Sequence, residues 1–359
     1  MENNPSVKII SPALKVASVI IIIAGLMAAQ SVVIPLMLAL FISIISAKPI
    51  LWLEAKKVPS SVAILIVLGG IILITIGMGA LLGKSMTNLT ANLPEYEDNL
   101  KKITGSFTEK LGDYGYTFSS NDLMDKFDTG KVFKFFANAL TEVGSIMSES
   151  FLIIFIVVFM LLELNSYALK AKVIRVYKGS KLGSLIKIAD SIRQYLWIKT
   201  LMSILTGVLV TIWLAILGVD YAILWGLITF MLNYIPNIGS IIAAVPAVIF
   251  ALVQLGFGGA LWTMLAFITV NMVVGNMIEP KVTGKGLGLS TLVVFLSLII
   301  WGFIFGTVGM FLSVPLTIMI KIILEDNSNT KWMAVMIGTG DEAQQALDDY
   351  RKNTASESS

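Results

Sequence analysis

The chain has 359 residues, 56% hydrophobic and 14% charged, against about 25% charged in an ordinary soluble domain. Its formal charge of +3 is too small to argue for a nucleic-acid partner. It has no cysteine and no histidine, which excludes disulfides, thiolate nucleophiles, imidazole catalysis and the usual zinc ligand sets.

Ten apolar stretches follow one another, at about residues 13–29, 31–47, 61–83, 146–165, 200–217, 221–235, 238–255, 260–278, 291–305 and 307–323. Between Leu201 and Leu324 the acidic residues are Asp220 and Glu279 alone, and the basic ones Lys281, Lys285 and Lys321. A bilayer requires such a tract, and a soluble core could not hide it. A perpendicular crossing needs about 20 residues, and several later stretches are shorter. The expected fold is an all-α, polytopic membrane helical bundle of about eight spans with an external helical insert. The alternative is ten apolar segments, the short ones being re-entrant halves. Met1 to Pro12 is polar and leads into the first stretch without a small-residue cleavage signal, so it reads as a retained span.

Basic residues orient the bundle. Lys8 and Lys15 precede the first span, and Lys48, Lys56 and Lys57 follow the second. Residues 84–149 carry seven basic and ten acidic residues, and residues 165–199 carry eight basic residues against Asp190 alone. The first region is therefore expected outside a cytoplasmic membrane and the second in the cytoplasm. Alternation then puts Asp220 and Gly256–Gly259 outside, Asn233–Gly239 and Lys281–Lys285 inside, and both termini in the cytoplasm. The predicted regions are N-terminal membrane helices at 1–83, the external insert at 84–149, and the fourth span with cytoplasmic amphipathic helices at 150–199. A transport core at 200–324 and a cytoplasmic, loosely ordered tail at 325–359 complete the chain.

Within the insert, Leu89, Leu93, Tyr96, Leu100, Ile103, Phe107, Leu111 and Tyr114 form a heptad-like seam. The seam closes either a helical hairpin on itself or a contact between subunits. Ser119 and Asp122 can cap a second helix, and Val132, Phe136, Leu140, Val143 and Met147 stripe a third. Glu163 reads as interfacial and Gln30 as part of an outer turn, while Trp197, Trp225, Trp262 and Trp301 suit interface anchors.

Two segments are unusual at membrane depth. In Asn233-Tyr234-Ile235-Pro236-Asn237-Ile238-Gly239-Ser240, Pro236 lacks an amide hydrogen and Gly239 permits close backbone approach. Such a break is tolerated where protein or a water-lined cavity satisfies the freed backbone, and broken helices mark transporter sites; an ordinary turn with asparagine caps is the rival reading. In the second segment, Asn271 and Asn276 sit on an apolar helix ahead of Glu279-Pro280-Lys281. Glu279 can neutralise Lys281, cap a helix or titrate with a transported proton. Gly284, Gly286 and Gly288 then form a Gly-x-Gly-x-Gly run without the strand–helix surroundings of a phosphate loop, and read as a hinge.

No P-loop sequence is present, so ATP-driven transport by this chain alone is not expected. An enzyme needs a nucleophile with a base, a carboxylate pair or a metal cluster; the interior acids are solitary, and Lys285 with Ser290 on one loop is the remaining formal arrangement. Neither catalytic residues, nor a metal, nor a cofactor is called for. The candidates for substrate binding or pore lining are Asn233, Tyr234, Pro236, Asn237, Gly239, Asn271, Asn276, Glu279 and Pro280, with Glu279 and Asp220 as coupling candidates.

The Asn233–Ser240 segment, Glu279-Pro280, Gly284-Lys285-Gly286-Leu287-Gly288-Leu289-Ser290 and Gly309-Met310-Phe311-Leu312-Ser313-Val314-Pro315-Leu316 resemble motifs of the autoinducer-2 exporter family, and the likeness covers most of the chain. The resemblance is nearest to its quorum-signal transporter branch. It implies export of a small polar furanosyl-type signal, with effects on quorum sensing and biofilm formation. It also implies a homo-oligomer, with a pentamer as the expected state. Members described as sodium(lithium)/proton antiporters make H+ or Na+ the alternative cargo, and a scaffold with an envelope-binding external domain is the reading from another class.

Overall fold

The structure is a computed structural model that describes residues 12–92, 94–96, 98–99, 102–103, 105, 150–163, 166, 170, 173, 182–236, 238–283 and 288–357. Among these residues every regular element is helical, so the expected all-α membrane bundle is what forms. In the N-terminal part, α1 (Pro12–Ala28), α2 (Gln30–Ala55), α3 (Ser60–Ala91) and α4 (Ser150–Leu162) are apolar around most of their circumference. Large side chains such as Ile21, Leu73, Phe151 and Phe159 are exposed, which in water would be costly and in lipid is the favoured state. Ala39, Ile50, Ala63, Leu68, Val157 and Leu161 form the core joining α2, α3 and α4.

The C-terminal part is built from α5 (Leu182–Leu217), α6 (Ala222–Leu232), α7 (Gly239–Val270), a π-helical segment (Asn271–Ile278), α8 (Glu279–Thr283) and α9 (Thr291–Glu325). Helix α6 turns back along α5 after Gly218–Tyr221. Its 11 residues rise about 16 Å, well short of the ~30 Å hydrocarbon core.

Helices α7 and α9 each contain one glycine that no helix accommodates: Gly256 at φ 74°, ψ −166° and Gly306 at φ 62°, ψ −147°. These backbone conformations are open only to glycine at low cost. Each helix doubles back there. Side chains from Ser240–Ile249 face Met264–Asn271 across one fold, and Trp301 Nε1 donates to Thr317 Oγ1 at 3.1 Å across the other. The two turns share one local pattern, Leu255-Gly256-x-x-Gly259 and Phe305-Gly306-x-x-Gly309. The second glycine lets the returning arm touch the outgoing one: a Cβ on Gly309 would lie 1.9 Å from the Trp301 carbonyl oxygen. Two fold-back helical hairpins therefore occupy the four apolar stretches 238–255, 260–278, 291–305 and 307–323. The arm from Thr291 to Ile304 rises about 20 Å, shorter than a crossing.

Two corrections follow from packing. Trp225 is no interface anchor: it is buried among Tyr96, Val219 and Phe250, and its indole N–H donates to the Asp220 carbonyl at 3.2 Å. The tail is ordered, as α10 (Lys331–Ile337) and α11 (Gly340–Glu357). Leu89 and Tyr96, the first seam positions described, pack into the chain's own core with Phe250 and Trp225. The rest of the insert, including Ser119, Asp122 and the Val132–Met147 stripe, lies outside the described residues.

Candidate functional site

A polar cluster assembles where α5, the end of α6 and the π-helical segment meet. Tyr195, Lys199 and Ser203 recur every fourth residue on α5, hence on one face; all three are buried. Asn233, which closes α6, donates its side-chain amide to Ser203 Oγ at 3.0 Å. The Tyr234 hydroxyl donates to Thr200 Oγ1 at 2.8 Å. Lys199 Nζ donates to both oxygens of Glu279, at 2.9 and 3.2 Å. The Lys199 side chain is 8% exposed and that of Glu279 24%, so the charge pair is largely withdrawn from water. Burying two charges is costly unless geometry and hydrogen bonds compensate.

The break at Tyr234–Ile238 is satisfied internally. The amides of Ile235 and Gly239 donate to the Leu232 and Ile235 carbonyls at 2.8 and 3.2 Å, and Ile238 N–H reaches the Pro236 carbonyl at 2.7 Å. Gly239 starts α7 against the chain it has just left, since a Cβ there would lie 1.8 Å from the Leu232 carbonyl oxygen. Asn233 stands at the C-cap of α6 and reaches across to α5 with its side-chain amide. The ring of Tyr234 stacks on Phe311 of α9 at 5.5 Å. Three motifs far apart in sequence, around Tyr234, Glu279 and Phe311, thereby meet in space.

Other candidates are placed elsewhere. Asn271 lies on an apolar groove of about 390 Å³ between the arms of the first hairpin, with Ser240 the other polar residue lining it. Asn276 and Pro280 are exposed, and Asn237, Gly284 and Gly286 lie outside the described residues. Gly288 is buried beside Lys321.

Asp220 is at the far end of α5, about 27 Å from Lys199 over the 18 residues to Leu217. There its carboxylate accepts from the Tyr96 hydroxyl at 2.9 Å and its amide donates to Gln254 at 2.8 Å. Gln254 in turn donates to the Gly218 carbonyl at 3.0 Å, tying the α5–α6 turn to the first hairpin tip. Burial, and then the neighbouring Tyr221 and Asp220, push the Tyr96 phenol well above its ordinary value.

Sequence reasoning missed Lys199, Thr200 and Ser203. Lys199 had been counted only among the positive charges at the margin of an apolar run. The usable signal was Glu279, an isolated intramembrane carboxylate in need of a counter-charge.

A helical membrane protein with interrupted helices, fold-back hairpins and a polar cluster at their junction is built as a transporter. Residues 16–329 match the family described as AI-2E family transporter, and this chain belongs to it. It is 38% identical to the AI-2 transport protein TqsA of Escherichia coli K12 over 318 residues, covering 89% of this chain and 92% of that protein. Two further relatives carry names that assign transport provisionally and no substrate. One is from Haemophilus influenzae, 39% identical over 90% of this chain and 95% of its own length. The other is YhhT of Escherichia coli K12, 35% identical over 91% and 94%.

Proposed function

We propose that this membrane transporter is a secondary exporter of autoinducer-2, or of a similar small polar metabolite, and so affects quorum sensing and biofilm formation. The observation that carries the reading is the polar cluster of Lys199, Thr200, Ser203, Asn233, Tyr234 and Glu279 at a broken helix. Its donors and acceptors satisfy one another, which avoids the cost of burying them unpaired. A solute with several hydroxyls can replace both partners of each bond without leaving either one bare. The groove between the hairpin arms is walled almost wholly by apolar side chains and offers such a solute little. The relative named for AI-2 transport supports the substrate.

We assign the cluster to the cytoplasmic side of the inner membrane, since residues 165–199 carry a net +7. Both termini then lie inside and residues 84–149 outside, in a homo-oligomer. A sodium(lithium)/proton antiporter is the second reading. It is favoured by Glu279, a carboxylate whose counter-cation Lys199 could be exchanged for Na+ or H+.

Proteoliposomes containing the full chain separate the two, with labelled signal molecule and sodium compared under an imposed proton gradient. Movement of the signal, lost in Glu279→Gln, is the expected outcome. Sodium-dependent proton flux without signal movement would transfer the function to antiport, and neither flux would remove both readings.

A further inference from the structure

The family match ends at residue 329, yet the chain beyond it makes specific contacts with the loop that joins the two hairpins. Lys321, near the end of α9, is buried, with its side chain 6% exposed. Its ammonium lies 2.5 Å from the Gly288 carbonyl and 2.5 Å from Glu342 on α11, with Glu325 at 3.6 Å. Glu325 also pairs with Lys187 of α5 at 2.6 Å. Beside this knot the Ser290 amide donates to the Ile337 carbonyl at 3.1 Å. Leu289 and Ile337 pack into the apolar cluster formed by Ile188, Ile192 and Ile318. Gly288, at φ +67°, has no room for a side chain, because a Cβ would meet both Glu342 and Lys321 at 2.5 Å. The loop's backbone, the tail's carboxylate and the hairpin's ammonium thus close on one point.

We infer that the C-terminal helix pair α10–α11 is a releasable clamp on residues 288–290, at the start of the second hairpin. Release is cheap by construction. Glu342 is 41% exposed, so water can take over its carboxylate. Along α11 Asp341, Gln344, Gln345, Leu347, Asp348 and Arg351 are exposed, so that helix rests on few buried contacts, the condition for local opening without global unfolding. When Glu342 leaves, Lys321 keeps Gly288 and Glu325 as partners. Leu289 and Ser290 then lose the cover of the tail, while the ammonium stays answered and Gly288 stays tied to α9.

The chain contains no cysteine, so one introduced thiol reports directly on the clamp. Leu289→Cys in the full-length protein is expected to react slowly with a maleimide. The rate should rise roughly tenfold when the chain is ended at Asn329, and by a smaller factor in Glu342→Gln, since exchange of a buried site follows its opening equilibrium. Leu224→Cys, buried in α6, monitors the bundle: it should stay unreactive in the shortened chain. If it reacts, Glu342→Gln alone decides. Equal Leu289→Cys rates with and without the clamp would overturn the inference. A second arm joins Leu289→Cys to Ile337→Cys by oxidation. Solute flux should fall about tenfold when the bridge forms and recover on reduction; unchanged flux would leave the clamp without a part in transport and overturn it. Should the wild-type protein move no signal molecule, the proposed substrate fails while the labelling rates still judge the clamp.

Discussion

Among the described residues two lysines are buried in apolar helices, and they are answered differently. Lys199 meets one carboxylate, Glu279, the first residue of α8 just past the π-helical segment. Lys321 meets Glu342, Glu325 and a backbone carbonyl, drawn from three separate elements. An ammonium with redundant partners tolerates the departure of any one. An ammonium with a single described carboxylate is bound to the conformation of the segment that carries it. In the proposed exporter only the first makes substrate access and charge neutrality the same event.

The sharpest way to break that comparison is to remove one carboxylate from each. Glu279→Leu leaves the buried Lys199 ammonium without its carboxylate, and uncompensated buried charge costs about 3–5 kcal/mol. The purified protein in detergent should melt many degrees lower, and adding Lys199→Met should recover most of the loss. Glu342→Gln leaves Lys321 with two partners and alters a group open to solvent, so its melting should stay within a degree or two of wild type. Equal losses in the two single variants would erase the distinction.

The hairpin turns come next in size. Alanine at Gly256 or Gly306 would occupy backbone space that is open essentially to glycine only, at a cost of order 1–3 kcal/mol each. Gly69, inside α3 with nothing within 4 Å of a Cβ, is the contrast. Alanine there should raise stability by about 0.5–1 kcal/mol, because a mid-helix glycine is entropically unfavourable. Thermal unfolding of the three variants tests this; a neutral Gly256→Ala would mean that the doubled-back arm is held by its packing alone.

The hairpins were half legible in the sequence. Hydropathy found all four arms, because apolar length is a property of composition. It did not find that Leu255-Gly256-x-x-Gly259 and Phe305-Gly306-x-x-Gly309 are the same turn, which requires knowing that both glycines have positive φ. The candidate site divides similarly. Asn233, Tyr234, Gly239 and Glu279 stood out because polar or helix-breaking residues are conspicuous in an apolar run. Lys199 did not, because a lysine at the edge of such a run looks like an ordinary headgroup charge until the fold turns it inward. The tail failed for a different reason. Its polar composition suggested little order, whereas its order comes from a few specific contacts to Lys321 and Ser290.

The smallest expected effect lies around Asp220, whose carboxylate and amide make hydrogen bonds. Tyr96→Phe removes one donor to Asp220 while keeping the ring against Phe250, whose centroid is 5.0 Å away. The loss should be about 1 kcal/mol. Its pH dependence carries the sign of a raised phenol. The unfolded chain ionises this tyrosine near the ordinary value of about 10, while the folded protein resists ionisation, so the stabilisation is complete below pH 10 and is lost as pH rises beyond it. The gap between wild type and Tyr96→Phe should therefore be flat from pH 6 to about 9 and narrow above about 10. A gap that widened in alkali would mean that the phenol is easier to ionise in the fold than out of it. The Asp220 site would then be electrostatic, like that of Lys199.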